Sequence, residues 1–429
     1  MNPYIQYMYS YPHKTAYRSL TGVYLDDYVS ILAGKGHGLY LHIPFCQSKC
    51  GYCNLFSVTG LGQEAVDQYL DAVERQSKQY SEILVSVGTE FSELVIGGGT
   101  PLFLTEKQLE RMFYRLDCSF QFCETRSVVV ETAPNQTTRE KLHLLKQLGV
   151  SRISMGIQSF SDRELLALGR QHHAQKAREA LELIKNYEFP CVNVDLIYGI
   201  PGQTEASLLE SLKEALRFEP EEIFLYPLYV KHGARMEREG VVLEPEAAFA
   251  QYQAASCFLR GSGYRQDSMR RFVRQETMRM FSECGLGTSI GLGCGGRSYL
   301  GNLHFCSPYV ITRSDCLARL GDYENTTDFM EITHGMILSE EEIKRRYVIR
   351  HLLIRPGLDR NRYQEVFDAN VLEEFSVLRV WVEQGYAILE ENGYITLTEK
   401  GLGFSDYLGP QLISPAVNQA MHEWEDIHG

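Results

Sequence analysis

The sequence of 429 residues lacks long apolar runs and is poor in basic residues. No stretch approaches the roughly 18 apolar residues that a membrane-spanning helix needs, and the start of the chain has no apolar core like that of a signal peptide. Lys and Arg number 42 against 55 Asp and Glu, which gives a net charge of −13. Such a balance disfavours a surface built for phosphate backbones. We therefore expect a cytoplasmic protein without membrane or nucleic-acid partners.

Cysteine is informative through its spacing. Eleven cysteines in a large chain without an export signal are poorly explained by disulfides, because cytosolic thiols stay reduced. Three of them, Cys46, Cys50 and Cys53, stand close together directly after an apolar stretch. Zinc sites usually use paired C-x2-C units with a fourth Cys or His, and the sequence has no second such pair. The spacing therefore favours an iron–sulfur cluster over zinc.

Three cysteines can bind three irons of a 4Fe-4S cluster and leave the fourth iron open. An open iron can bind the amino and carboxylate groups of S-adenosylmethionine (SAM) and pass an electron into its sulfonium. That electron cleaves SAM to a 5′-deoxyadenosyl radical. We therefore predict Cys46, Cys50 and Cys53 as metal ligands, with a 4Fe-4S cluster and SAM as cofactors.

Short β-type apolar runs alternate with amphipathic helical stretches in the first 260 residues. The predicted strands are residues 38–43, 93–96, 127–131, 152–157, 191–197 and 222–228. The predicted helices are residues 63–86, 105–116, 138–148, 162–187 and 205–217. This alternation predicts an α/β fold with βα units around a parallel sheet or barrel. In such folds the active site lies at the carboxyl ends of the strands.

Changes in composition divide the chain into four predicted regions. Residues 1–36 form an aromatic-rich N-terminal arm, and residues 37–260 form the βα region. Residues 261–338 are rich in Gly and Arg, and we expect them to cover the active site. Residues 339–429 have the pattern of helices followed by a β-hairpin, which is typical of a small winged-helix-like domain. Its many acidic residues favour a structural or substrate-covering role over DNA binding.

Two Gly-rich segments and one acidic residue are further site candidates. Residues 97–99 follow a predicted strand, where missing side chains let the backbone approach a cofactor closely; an ordinary turn is the alternative. Glu131 closes an apolar strand, a costly position unless SAM or a barrel neighbour pairs with it. Residues 291–296 match G-x-G-x-x-G, but no convincing apolar strand precedes them, so we disfavour a dinucleotide site.

Several motifs occur in the order typical of one known family. They are YxHIPFC at residues 40–46, GGGTP at 97–101, ExxP at 131–134, SMGIQSF at 154–160, LGRxH at 168–172 and DLIYGIPGQT at 195–204. With these motifs nearly the whole chain resembles the radical SAM family of oxygen-independent coproporphyrinogen III oxidase and its haem-chaperone relatives. The resemblance implies a partial (β/α)6 radical SAM barrel.

The resemblance also implies roles for individual residues. Tyr40 and Glu131 are expected to be catalytic. The expected SAM-contacting residues are Tyr40, Tyr52, Gly98, Gly99, Thr100, Glu131, Gln158, Arg170 and Asp195. The last three correspond to positions that contact a second SAM in the oxidase, so one or two SAM molecules are expected.

The chain departs from its family at two places. Leu55 stands where the oxidase has a fourth Cys and the chaperone an aromatic residue. Arg270 and Arg271 replace a more neutral or acidic segment, and arginines there would suit carboxylates such as porphyrin propionates. The chain therefore has the features of a third branch.

Three functions are compatible with these residues. The first is a radical SAM oxidoreductase acting on a tetrapyrrole or similar carboxylated substrate, with oxidative decarboxylation as the prototype. The second is a radical SAM methyltransferase that uses two SAM molecules. The third is a haem-binding, chaperone-like protein without decarboxylase activity. The expected partners are a small molecule such as a porphyrinogen or haem, and an electron donor such as flavodoxin or ferredoxin.

Overall fold

A computed structural model describes residues 2–8, 10–230, 232–275 and 287–428. The strands are β1 (Arg18–Ser19), β2 (Lys35–Ile43), β3 (Phe45–Cys46), β4 (Val58–Thr59), β5 (Glu90–Gly98), β6 (Phe122–Thr132), β7 (Arg152–Gln158), β8 (Cys191–Tyr198), β9 (Glu222–Pro227), β10 (Tyr264–Gln266), β11 (Arg271–Arg274), β12 (Ser289–Leu292), β13 (Ser298–Leu300), β14 (Leu303–Phe305), β15 (His334–Ile337), β16 (Leu358–Asp359), β17 (Ala387–Leu389) and β18 (Tyr394–Leu397).

The α-helices are α1 (Gln63–Ser86), α2 (Glu106–Ser119), α3 (Arg139–Gln147), α4 (Asp162–Ala167), α5 (Ala174–Lys185), α6 (Glu205–Leu216), α7 (Arg235–Arg238), α8 (Pro245–Gly261), α9 (Arg313–Asn325), α10 (Glu340–Leu352), α11 (Arg360–Phe367), α12 (Val371–Glu374), α13 (Val377–Glu383), α14 (Glu399–Gly403), α15 (Ser405–Leu408) and α16 (Pro415–His428). Short 3-10 helices lie at Lys14–Ala16, Leu25–Leu32, Pro101–Phe103, Pro134–Gln136 and Gly409–Leu412.

The centre of the fold is a parallel sheet in which β2, β5, β6, β7, β8 and β9 are neighbours in that order. Helices α1 to α6 connect these strands, as the alternation predicts. β12 pairs parallel to β2 at one edge, and shorter antiparallel strands extend both edges. The predicted α/β fold is confirmed, and each of the six predicted strands is present.

The predicted helix over residues 162–187 is wrong, because two helices occupy this stretch. α4 ends before Gly169, whose φ of +70° lies in the left-handed region that favours glycine. α5 begins at Ala174. The segment between them carries Arg170 away from a helical surface and towards the sheet. The other predicted helices agree with the structure within a few residues.

A second hydrophobic core lies in the C-terminal part of the chain. Its buried residues come from α10 onwards and also include Met8 and Tyr11 of the N-terminal arm. The predicted hairpin is present, with Ala387 opposite Leu397, and β16 adds a third strand. The four region boundaries stay predictions. Within the described residues, we find no helix with the length and apolar character to cross a membrane.

A buried ion pair connects the segment between β10 and β11 with α15, and the N-terminal arm contacts the same carboxylate. Arg270 donates to Asp406 in α15, and both side chains are almost fully buried. Asp406 also accepts from the Tyr229 hydroxyl at 2.6 Å and from the Met8 backbone N–H at 3.1 Å. The Arg270 guanidinium lies 4.1 Å from the centre of the Tyr7 ring. Three distant parts of the sequence therefore meet at one carboxylate.

The structure shows which carboxylates Arg270 and Arg271 meet. Arg270 is bound to Asp406, and Arg271 donates to the buried Glu222. The carboxylates that these arginines meet are the protein's own. The hypothesis that Arg270 and Arg271 bind substrate carboxylates is therefore not supported.

We predict that Arg270→Met lowers the free energy of unfolding by about 3–5 kcal/mol, because it leaves a buried carboxylate without its cation. Lys213→Met is the control, since Lys213 pairs with Glu210 on the surface of α6 and should change stability by less than about 1 kcal/mol. Denaturant unfolding of anaerobically purified protein measures both. Equal effects of the two substitutions would contradict a structural role for the buried pair.

Candidate active site

The three predicted metal ligands lie in one loop at the carboxyl end of β2. The base of the loop is closed by pairing of β3 with β4, and the Val58 N–H donates to the Pro44 carbonyl at 2.7 Å. Gly51 fixes the far side of the loop. Its N–H donates to the Leu168 carbonyl at 2.8 Å, and its carbonyl accepts from the Met236 N–H at 2.9 Å. The loop is therefore held at both ends before any cofactor binds.

The donor set fits a four-iron cluster. Cys46, Cys50 and Cys53 are partly buried free thiols close enough to influence one another electrostatically. Burial, and then the neighbouring Cys50, raises the pKa of Cys53 to about 11. In the described part of the chain, no three His, Cys, Asp or Glu side chains converge on a single ion. Thiolates of a cubane bind three different irons and need no common point, so this finding is compatible with the cluster.

Arg170 places a positive charge beside this loop. Its Nη1 lies 3.1 Å from Cys50 Sγ, and its Nη2 donates to the Gly156 carbonyl. The guanidinium therefore supplies a positive charge and an N–H donor next to one of the predicted cluster ligands. The structure thus brings a predicted SAM-contacting residue into the surroundings of the cluster ligands.

The glycines at the carboxyl end of β5 and directly after it allow three groups to pack closely. A Cβ on Gly97 would lie 2.8 Å from the Glu131 carboxyl carbon, and one on Gly98 would lie 2.7 Å from the His42 ring. A Cβ on Gly99 would lie 2.7 Å from the Phe45 carbonyl oxygen and 2.9 Å from Cys46 Sγ. Gly98 also has a φ of +115°. The glycines therefore make room for the protein's own site residues as well as for a cofactor.

Glu131 lies at the end of β6 and faces these glycines. Its Oε2 accepts a hydrogen bond from the Gly98 N–H at 3.0 Å. Burial raises the pKa of Glu131 to about 7, with a further upward contribution from Asp195 that the Gly98 N–H and Arg152 oppose. The carboxylate therefore has unused capacity to bind a cationic or donor group such as an ammonium.

Asp195 is a second carboxylate on the same face of the sheet. It lies on β8, two strands away from Glu131 on β6. It accepts from Asn193 Nδ2 at 2.7 Å, and Asn193 Nδ2 also lies 2.7 Å from Ser154 Oγ. Burial raises the pKa of Asp195 to about 6, while Asn193, Arg152 and Arg170 oppose that shift. Gly156 lies opposite Asp195 in the pairing of β7 with β8. The predicted second SAM region is thus a contiguous polar surface.

Gln158 and Tyr52 complete this surface. Gln158 has a φ of 77° and follows a register irregularity in β7, which redirects its backbone at the strand end. Tyr52 is close to Arg170, Cys50 and Asp195. Burial, followed by Cys50 and Asp195, raises the pKa of Tyr52 well above its ordinary value, and Arg170 opposes this shift. The other predicted residues, Tyr40 and Thr100, also border the loop; Thr100 Oγ1 lies 3.6 Å from Cys46 Sγ.

Sequence reasoning missed two residues of the site. His42 is buried, with Nδ1 3.1 Å from the Tyr40 hydroxyl and Nε2 2.8 Å from the Phe56 carbonyl. Burial lowers the pKa of His42 to about 4, so it is neutral near pH 7 and fixes Tyr40. Arg152 enters the interior from β7 and pairs with Glu222 at 2.6 Å. Arg152 could have been found from the sequence, because it is a charged residue in a mostly apolar predicted strand.

The Gly-rich segment at residues 291–296 forms one wall of the site. The expectation that no strand precedes it is wrong, because β12 runs parallel to β2 and places Gly291 beside Tyr40. β13, and no helix, follows directly, so the strand-to-helix context of a dinucleotide site is missing from this described segment. A Cβ on Gly295 would lie 3.2 Å from the His42 ring. The segment thus packs against the residues that hold Tyr40.

Comparisons with known proteins agree with this geometry. Residues 40–215 match the radical SAM superfamily. The heme chaperone HemW of Bacillus subtilis (strain 168) is 27% identical over 385 residues, which cover 86% of this chain and 98% of that protein. The oxygen-independent coproporphyrinogen III oxidase of Escherichia coli (strain K12) is 26% identical over 391 residues, which cover 85% of this chain and 82% of that protein.

A solved structure supports the fold. Coproporphyrinogen III oxidase (HemN) from Escherichia coli, described as a radical SAM enzyme, matches with a TM-score of 0.82 at 23% identity. The match covers 95% of this chain and 96% of that chain. The resemblance predicted from the motifs is confirmed, as are the expected cofactors, a 4Fe-4S cluster and SAM.

Gly99→Ala should destabilise the protein by about 1–3 kcal/mol and lower its iron content, because the new methyl group meets a backbone carbonyl and a ligand sulfur. Gly321→Ala in α9 is the matched control, since a Cβ there meets nothing within 4 Å. Denaturant unfolding and iron analysis after anaerobic purification measure both effects. A Gly99→Ala protein with normal iron content would contradict the close approach.

The free energy of unfolding should fall as the pH rises, because Glu131 loses its proton in the folded protein. Its pKa is raised in the folded state from 4.5 to about 7, so the folded protein binds more protons than the unfolded chain between these values. The loss between pH 4.5 and 7 is roughly 3 kcal/mol. Unfolding at pH 5 and pH 8 without added SAM should show a smaller loss in Glu131→Gln.

The stability of Glu131→Gln should keep part of its pH dependence, because the pKa of Asp195 is also raised in the folded protein. Glu246→Gln, an exposed position in the first turn of α8, is the control and should behave like the wild type. An unaltered pH dependence in Glu131→Gln would show that the pKa of Glu131 is not raised.

Proposed function

Because residues 40–215 match the radical SAM superfamily, we propose that the chain is an enzyme that cleaves SAM reductively and acts on a tetrapyrrole or a similar carboxylated substrate. In this proposal Cys46, Cys50 and Cys53 hold the 4Fe-4S cluster. One arrangement carries the proposal. Cys50 lies beside Arg170, and Cys46 lies across residues 97–99 from a buried carboxylate, Glu131.

The residues of the chain bind and orient SAM in this proposal. When bound, the cluster supplies the electron that cleaves SAM to methionine and a 5′-deoxyadenosyl radical. Glu131 has a free acceptor oxygen for the SAM amino group, and its backbone partner Gly98 keeps that carboxylate in place. Neutral His42 holds the Tyr40 hydroxyl towards the loop.

A second group of residues supports binding of the remaining part of SAM or of a second SAM. Gln158 and Asp195 lie on the adjoining strands β7 and β8, and Arg170 reaches the Gly156 carbonyl of β7 from the segment between α4 and α5. Asn193 orients the Asp195 carboxylate. Tyr52 borders the same group. These positions match those implied by the family resemblance, and they make a two-SAM methyltransferase the alternative to oxidative decarboxylation.

The substrate class rests on the relatives. One is named an oxygen-independent coproporphyrinogen III oxidase and another a heme chaperone, so both names concern tetrapyrroles. We propose a porphyrinogen or haem as the small-molecule partner and flavodoxin or ferredoxin as the electron donor, in the cytoplasm.

A haem-binding protein without turnover is the second candidate. The alignment with the heme chaperone covers 98% of that protein, and Leu55 replaces the fourth cysteine expected in an oxidase. Leu55 is 47% exposed beside the cluster loop. A shift of the haem Soret band on mixing, without SAM cleavage, would favour this candidate over the enzyme.

Reconstituted wild-type protein should bind about four irons per chain and release 5′-deoxyadenosine when dithionite and SAM are added without oxygen. Cys50→Ala should lose the cluster absorbance and at least about 90% of the SAM cleavage, because one iron loses its ligand. Cys257→Ser, at an exposed thiol in α8, should retain both.

The same assay separates the candidate reactions. Decarboxylated product from coproporphyrinogen III supports the oxidase, and label transferred from methyl-labelled SAM supports the methyltransferase. A cluster-loaded wild type that forms no 5′-deoxyadenosine would contradict the proposed enzyme.

A further inference from the structure

An exposed apolar side chain lies beside a predicted cluster ligand. Leu55 follows Cys53 by two positions, and its side chain is exposed to solvent. The Leu55 backbone N–H is hydrogen-bonded to the Cys53 sulfur. A single exposed leucine is ordinary on a protein surface, so its position is what matters here. Leu55 links the surface of the protein to a predicted iron ligand through one hydrogen bond.

A positive charge reaches this part of the cysteine loop from the N-terminal arm. Asn54 Nδ2 donates to the Tyr309 hydroxyl at 2.9 Å, and that hydroxyl donates to the Asn54 carbonyl at 3.2 Å. Lys14 Nζ lies 3.6 Å from the centre of the Tyr309 ring. The residue that precedes Leu55 is therefore bonded to a ring that carries a lysine on its face.

Two further positive charges lie on the same side of the molecule. Lys14 and Lys49 both act electrostatically on the thiol of Cys316 in α9, which places both lysines near the start of that helix. Arg313, the first residue of α9, is exposed and donates to the Thr59 carbonyl at 3.2 Å. Thr59 belongs to β4, which closes the base of the cysteine loop. Three cations thus border the loop.

Acidic residues lie at the margin of this area. Asp315, in the first turn of α9, accepts a hydrogen bond from the N-cap hydroxyl at 2.6 Å. The last turns of α16 carry Glu423, Glu425 and Asp426, and Glu423 pairs with Arg18 at 3.3 Å. The chain as a whole has a net charge of −13. Three cations around one exposed apolar side chain are therefore a local reversal of its charge.

We propose that Lys14, Lys49, Leu55 and Arg313 form a docking surface for an acidic one-electron carrier protein that reduces the cluster. We call these four residues the entry surface. The inference rests on the proposed function. One electron leaves the reduced carrier, which is oxidised by one electron, and reduces the cluster by one electron, so no covalent bond forms or breaks. The cations would steer an acidic partner, and the leucine would give the contact an apolar centre.

Proximity to a ligand favours an electron carrier over other acidic partners. A protein docked on Leu55 would be separated from the predicted cluster by the short segment from Leu55 to Cys53, which also contains the hydrogen bond between them. A nucleic acid is disfavoured, because its binding usually needs more phosphate contacts than three cations provide, and the acidic end of α16 would repel it.

The salt dependence of cluster reduction tests the inference on the unaltered protein. Cluster-loaded wild type is mixed anaerobically with flavodoxin in its hydroquinone form, and loss of the visible absorbance of the cluster gives the rate. We expect this rate to fall about tenfold between low and high salt, because salt screens the attraction between the two proteins. Reduction by dithionite is measured in parallel and should change less than about twofold.

Two results for the wild type would overturn the inference. One is a rate of reduction by flavodoxin that does not depend on salt. The other is a cluster that dithionite reduces but flavodoxin does not.

Reversal of one charge locates the surface. Arg313→Glu should slow reduction by flavodoxin about tenfold at low salt and weaken flavodoxin binding, measured by titration, by a similar factor. Lys185→Glu is the matched control, because it changes the net charge equally. Lys185 is exposed near the end of α5, where it pairs with Glu219 at 3.3 Å, and α5 leads to the amino end of β8. Equal slowing in both variants would contradict a localised docking surface.

A pair of substitutions at Leu55 separates charge from structure. Leu55→Asp should slow reduction by flavodoxin about tenfold, whereas Leu55→Lys should keep at least about half of the wild-type rate, because only the aspartate repels an acidic partner. Both should keep the wild-type iron content and the wild-type rate with dithionite. Equal slowing by Asp and Lys would contradict electrostatic docking at this position. If Leu55→Asp loses the cluster, Arg313→Glu decides.

Formation of 5′-deoxyadenosine with dithionite is measured in the same preparations. It should be unchanged in Arg313→Glu and in both Leu55 variants, since dithionite does not need the entry surface. If flavodoxin reduces the wild type with the expected salt dependence but no SAM is cleaved, the proposed enzyme fails while the entry surface stands. If SAM is cleaved with dithionite but reduction by flavodoxin ignores salt and these substitutions, the entry surface alone fails.

Discussion

The close approach of β5 to the start of the cysteine loop is the constraint on which the rest of the site depends. The Gly99 N–H donates to the Ile43 carbonyl and the Thr100 N–H to the Phe45 carbonyl, each at 2.8 Å. These bonds continue the pairing of β2 with β5 beyond the end of the sheet. They are compatible with the space around Cys46 only because Gly99 has no side chain. The positions of the first ligand, of Glu131 and of His42 all follow from this contact.

Around this contact the protein collects ionisable groups that would be costly in an apolar interior. Glu131 and Asp195 face the site with raised pKa values, and Arg152 and Arg170 lie near them. The charges are only partly balanced by one another. A bound cofactor with both an ammonium and a carboxylate suits such a mixed environment, because it supplies a partner of each sign. The polar interior of the barrel is thus arranged for binding.

The N-terminal arm contacts both the sheet and the C-terminal part, through Tyr7 against Tyr226 of β9 and through the Met8 N–H to Asp406. Asp406 gathers Arg270, Tyr229 and the Met8 backbone, and Ser10 and Tyr11 meet Arg297 and Arg346. The arm therefore lies between two groups of arginines. One group is bound to protein carboxylates and holds the fold together. The other, Arg297 and Arg346, donates to Ser10 Oγ and to the Tyr11 carbonyl of the arm.

The sequence by itself determined the local features. Short-range patterns predicted the cysteine spacing, the six strands, the glycines at the end of β5 and the carboxylates of β6 and β8, since period, spacing and turn chemistry act within about 20 residues. Helix 162–187 was one exception, because the left-handed residue Gly169 interrupts a continuous amphipathic pattern.

Only the tertiary structure decided which charges meet. Arg270 and Asp406 are 136 positions apart, and Arg297 meets a hydroxyl 287 positions away. No local pattern distinguishes an arginine that meets a protein carboxylate from one that faces solvent. That distinction depends on the chain folding back on itself, because Coulomb attraction follows distance in space and is independent of distance along the sequence.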